Sequence, residues 1–150
     1  MRRHGHLLPR CLLPEAAIRR PARCASPQRS RGRGRLVRAS ERGAIRLVRS
    51  SAHRIENDAN PREDRRLAAA LWLDQFAIEI ALTGAVEARA RALGALGFTP
   101  LDALHLAFAE AAGARFFVTC DDRIAGLAAR HRAELLTQVL SPLDLPRTTA

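Results

Sequence analysis

The chain has 150 residues, 47% of them apolar, enough for one domain that buries roughly two thirds of the surface its unfolded chain would expose. All 25 basic residues are arginine, and the net charge of +10 sits in residues 1–43, which hold 12 arginines against Glu15 and Glu41; residues 44–150 balance 13 arginines with 13 acids. That balance makes overall charge a poor argument for nucleic-acid binding by the fold itself, no stretch approaches the about 20 apolar residues of a membrane span, and Cys11, Cys24 and Cys120 show neither metal-ligand spacing nor a disulfide framework, which suits a reducing cytoplasm.

Residues 1–43 are expected to hold no folded structure. They carry Pro9, Pro14, Pro21, Pro27 and the run "RSRGRGR", and no helical or strand period survives more than a few residues. Pro9, Arg10 and Pro14 cut the early apolar residues into pairs, short of the about 7–15 residues of a secretory leader's core. The segment reads as a disordered basic tail or as GC-rich DNA translated out of frame. As an arginine-rich binding arm it would contact RNA through Arg31, Arg33 and Arg35.

Order is expected from residue 44 to about 145, with a short tail over 146–150. "AIRLVR", 44–49, suggests a short strand, and "SSAHRIENDANP" a helical turn stopped by Asn60-Pro61. Leu67, Ala70 and Leu71 share a stripe of a helix over 62–73. "FAIEI", 76–80, alternates like a strand. Thr83 is the N-cap of a helix ending at Gly97; Thr99-Pro100 opens another that runs to about Ala112, closed by Gly113. "RFFVTC", 115–120, reads as a buried strand, "DRIAGLAARH", 122–131, as a helix, and "LTQVL", 136–140, as a last strand. Alternating strands and helices imply a three-layer α/β/α domain around a parallel sheet. In such sheets ligands gather at the carboxyl ends of strands, which puts Asp121 and Asp122 at the functional edge.

Each candidate residue has a local explanation. Asp102 lies at N3 behind Thr99 and Pro100 and suits a capping-box variant and the helix dipole. Asp121 follows a strand and can cap the next helix, with Asp122 in that helix's exposed first turn. Glu56, between Arg54 and Asp58, suits a solvated surface. His105 lies one turn after Asp102 and suits a packed, hydrogen-bonded position. Ser50, Ser51 and Thr119 suit local backbone partners.

Taken together, "SSAHRIENDANPREDRR", "ALGFTPLDALHLAFAEA" and "FFVTCDDRI" resemble, in order and spacing, the PIN-domain family of metal-dependent ribonucleases, many of which are toxins of toxin–antitoxin pairs. The resemblance implies a Rossmann-like α/β/α sheet and an endoribonuclease that cleaves single-stranded RNA. By it, Glu56, Asp102 and Asp121 would be the acids that hold Mg²⁺ or Mn²⁺, with Asp122 assisting and His105 and Thr119 supporting. It further implies RNA as partner, with a cognate antitoxin and a homodimer as possible assemblies. The chemistry suits the residues: hard cations take oxygen ligands and both activate water and offset charge on a phosphate. The family's first strand and its aspartate have no match, since "CLLPEA" is cut by Pro14, so the domain reads as incomplete at its N-terminus. Two other functions therefore stand beside the nuclease: an inactive PIN remnant that serves as a binding module, and an RNA binder that uses the basic arm.

Overall fold

Five short strands, all parallel, make one sheet in a computed structural model that describes residues 12–14 and 27–145. In chain order the elements are β1 (Leu12–Pro14), α1 (Pro27–Glu41), β2 (Leu47–Ser50), α2 (Ser51–Asp58), α3 (Glu63–Phe76), β3 (Ala77–Ile80), α4 (Gly84–Ala95), α5 (Pro100–Ala111), β4 (Phe116–Val118), α6 (Asp122–Arg130) and β5 (Gln138–Leu140). Among the described residues no helix is long and apolar enough to cross a membrane. The expectations for residues 1–11, 15–26 and 146–150 lie outside the described residues.

The strand order is β3-β2-β1-β4-β5. The chain builds outward from β1 through β2 and β3, then crosses back to β4 on the other side of β1. That reversal makes the carboxyl ends of β1 and β4 the switch point where this architecture opens a crevice. Register ties Leu12 to Leu47 on one side, and Leu12, Leu13 and Pro14 to Phe116, Phe117 and Val118 on the other.

Both faces of the sheet are covered, as parallel sheets require. Alternate strand residues divide between two clusters. Val48, Phe117 and Val139 join Ala52, Val86, Leu93, Leu106, Phe108, Ile124 and Leu127 from α2, α4, α5 and α6. Leu47, Phe116, Val118 and Leu140 meet Leu36 of α1 on the opposite face.

Two elements correct the sequence reading. The strand position taken as empty is filled by β1 at the centre of the sheet, a strand of three residues that carries no aspartate. Pro14 is its last residue. The segment 27–41, taken as unstructured, is helix α1. Its hold on the sheet comes from few residues: Leu36 is buried against Leu47, Phe116 and Val118. One buried apolar side chain among many arginines leaves no periodic signal to find.

Gly32 lets α1 approach the turn at Pro142. A Cβ there would lie 2.7 Å from the Pro142 carbonyl oxygen, whereas one at Gly34 would meet only the mobile end of Arg38. Gly32→Ala is therefore expected to destabilise by about 1–3 kcal/mol through overpacking. Gly34→Ala should be neutral or stabilise by about 0.5–1 kcal/mol through helix propensity. Urea melts of the two variants check the contrast; equal effects would remove the close approach as a constraint.

Candidate functional site

Sequence dictates the local scaffold closely. Thr83 Oγ1 accepts from Val86 N at 3.3 Å, and Thr99 Oγ1 from Asp102 N at 3.4 Å, so both threonines cap as their positions suggest. Asp121 Oδ1 accepts from Arg123 N at 2.9 Å and caps α6. Gly97 and Gly113 stand at φ 101° and 64°, left-handed residues that stop α4 and α5.

Asp102 opens α5 with no solvent exposure at all. A buried carboxylate must be paired and hydrogen-bonded to be tolerated. Thr99 Oγ1 donates to Asp102 Oδ2 at 2.5 Å, and the Arg123 guanidinium forms an ion pair with the same oxygen. Arg123 lies two residues after Asp121, so this pair draws the start of α6 to the start of α5. Thr119 Oγ1 accepts from Asp121 N at 3.0 Å and fixes the turn that leaves β4. Asp122, in the first turn of α6, is exposed.

Glu56 is not a solvated glutamate. Its side chain is 7% exposed, and its Oε2 lies 3.0 Å from His105 Nε2, near enough for an ion pair but not aligned as a hydrogen bond. His105 is buried on α5, one turn beyond Asp102. Its ring meets His53 of α2 edge to face, with centroids 4.6 Å apart. The structure thus brings Glu56 to the helix that carries Asp102, through His105, and Asp102 to Asp121's helix, through Arg123. Cys120, expected to stand outside any disulfide framework, is disulfide-bonded.

Sequence reading missed His53 and Arg123. His53 sits at N3 of α2, where its Nδ1 accepts from Ser50 N at 3.2 Å, a place usually taken by Glu or Gln. Arg123 carries no spacing signal; its role appears only when α5 and α6 are packed together.

As ligands for a divalent cation the acids are right in kind, since they offer carboxylate oxygens from separate segments. Their arrangement is two linked pairs. Among the described residues no three His, Cys, Asp or Glu side chains stand close enough to hold a metal together. Arg123 supplies the positive charge on Asp102.

Burial pushes the His53 imidazole down to about 3, with the neighbouring His105 adding to the effect and Glu56 opposing it. Between about pH 3 and 6.5 the unfolded chain binds a proton that the folded one does not, so stability falls as pH drops below 6.5. The slope attributable to this group approaches about 1.4 kcal/mol per pH unit. Urea melts from pH 5 to 7 should show that slope and should lose it in His53→Phe; a slope unchanged in the variant would assign it elsewhere.

Residues 42–130, more than half of the chain, match the family model described as the PIN domain. No curated protein and no solved structure matches the chain significantly. The matched span begins just before β2 and ends with α6, so it contains Glu56, Asp102 and Asp121 with the elements that carry them. By this match and by its parallel α/β sheet, the chain belongs to the PIN-domain family, whose members are generally ribonucleases that use divalent metal ions.

Proposed function

We propose that the protein is a Mg²⁺- or Mn²⁺-dependent endoribonuclease acting on single-stranded RNA at the carboxyl edge of β2 and β4. The observation that carries this reading is the linkage of Glu56, Asp102 and Asp121 through His105 and Arg123, beside the switch point of a PIN-family sheet. Glu56, Asp102 and Asp121 would hold the cation only once drawn together from the two linked pairs in which they stand, with Asp122 as a further oxygen donor. Bound there, the ion would acidify a water and offset charge on the scissile phosphate.

The chain's own residues supply the rest. His105 holds the Glu56 carboxylate against α5, and Thr119 orients the Asp121 turn. Arg123 keeps the buried Asp102 charge compensated and would have to yield that place to a bound cation. A toxin role, with an antitoxin as partner and the cytoplasm as location, belongs to the same proposal and is tested by co-expression with adjacent gene products. A homodimer is a further part of it, tested by light scattering.

The assay is cleavage of single-stranded RNA with and without EDTA. Asp102→Asn should lower the rate by more than the about 10–100-fold typical of losing an outer-shell partner; His105→Ala and Thr119→Val should fall within that range. Activity that persists in EDTA, or in Asp102→Asn, would remove these assignments. Mg²⁺ or Mn²⁺ should also raise the melting temperature, and more so in Arg123→Ala, where Asp102 has lost its internal cation. A melting curve indifferent to metal in both proteins speaks against the site.

A second reading is favoured by α1. Arg31, Arg35 and Arg38 are all exposed and recur at i, i+4 and i+7, one stripe of the helix. Such a stripe suits RNA phosphates, as a helix in place of the disordered arm. Neutralising all three arginines should weaken RNA binding uniformly across sequences. It should also flatten the log–log salt dependence by about 2, at about 0.7 per phosphate contact on a single strand. An unchanged salt slope would return the stripe to plain solvation.

A further inference from the structure

Behind the Glu56 carboxylate stand two imidazoles, His53 of α2 and His105 of α5. His53 and Glu56 are three residues apart on α2, so they share one face of that helix, and the face packs on α5 at His105. Both rings are fully buried and meet edge to face, with centroids 4.6 Å apart. Neither reaches solvent, so their nitrogens depend on buried partners.

The neighbours of the two rings decide where the protons sit. Ser50 N can only donate, and it lies 3.2 Å from His53 Nδ1. That nitrogen is therefore the acceptor, and the ring, kept neutral by burial, carries its proton on Nε2. A carboxylate only accepts, and Glu56 Oε2 lies 3.0 Å from His105 Nε2. That nitrogen therefore carries the proton, and the neutral His105 ring keeps its lone pair on Nδ1. His53 Nε2 and His105 Nδ1 are both buried and make no hydrogen bond among the described residues. One is a donor and the other an acceptor, and they belong to rings in contact. Either other form of His105 loses this match. Its opposite tautomer sets a lone pair against the Glu56 carboxylate, and its cation leaves the His53 N–H without an acceptor.

We propose that His53 is a positioning residue for Glu56: its Nε2–H selects the tautomer of His105 that presents Nε2–H to the Glu56 carboxylate, and so holds that carboxylate against α5, the helix that carries Asp102. This rests on the ribonuclease reading for the task of Glu56, which there is to hold a cation. Indirect partners of this kind fix the orientation and basicity of ligands at metal sites. His53 touches neither cation nor RNA and acts through His105 alone. Through Ser50 N it also caps α2, so one ring sets both the start of that helix and the aim of its glutamate.

The test uses the full chain and two readouts, the tautomer of each histidine in long-range proton–nitrogen spectra near neutral pH and the affinity for Mn²⁺ by titration. In the unaltered protein both rings should carry their proton on Nε2, a measurement that needs no variant. His53→Phe keeps a ring in the site but removes its N–H; it should release His105 to a mixture of tautomers and weaken Mn²⁺ binding about tenfold or more. His53→Gln retains an acceptor for Ser50 N and an N–H donor, and should recover most of both effects. A general loss of packing would move neither the His105 tautomer nor the difference between the two variants. A proton on Nδ1 of either ring in the unaltered protein overturns the proposal. So does an unchanged His105 spectrum or Mn²⁺ affinity in His53→Phe, or a Gln variant no better than Phe. If the unaltered protein binds no Mn²⁺ or cleaves no RNA while His53→Phe still shifts the His105 tautomer, the ribonuclease reading fails and the hold of His53 on Glu56 stands.

Discussion

A carboxylate with no access to solvent must be neutralised by its own surroundings, and at Asp102 this requirement organises the functional edge of the domain. The negative charge is placed at the start of α5, inside the apolar cluster that covers one sheet face. Burying it unpaired would cost several kcal/mol. Thr99 and Arg123 compensate it, and in doing so they lock the first turns of α5 and α6 together. The site's shape is thus a by-product of charge compensation as much as of packing.

The same logic runs through the second pair. Glu56 is almost fully covered, and His105 stands against it; His53 in turn stands against His105 and is kept neutral by burial. A chain of polar groups therefore enters the apolar core from α2 to α5. Such networks cost stability when incompletely satisfied, and their persistence at the carboxyl edge of a PIN-family sheet is consistent with function taking precedence over stability there.

Much of this was legible in the residues. The threonines before α4 and α5, the aspartate before α6 and the glycines after α4 and α5 are local devices, and the chemistry of a cap or a left-handed stop does not depend on distant contacts. The boundaries of β2 through β5 moved by only a few residues for the same reason. Element α1 was not legible, because one leucine and one close glycine contact anchor an otherwise solvated helix. Strand β1 was not, because three residues ending in proline carry no alternation. At the site, Glu56, Asp102, Asp121, His105 and Thr119 could be nominated from pattern and resemblance. Arg123 and His53 could not, since their roles exist only across helix–helix contacts far apart in sequence.

The placement of β1 has a geometric consequence. It is the single strand inserted between β2, from which α2 and Glu56 continue, and β4, from which Asp121 and α6 continue. Neighbouring strands are spaced by backbone hydrogen bonding at about 4.8 Å, so the two roots stand about 10 Å apart. That pitch is a property of the peptide group and is indifferent to side-chain mutation. The width of the gate between the two halves is thus set by the main chain, and evolution can reshape only the posts.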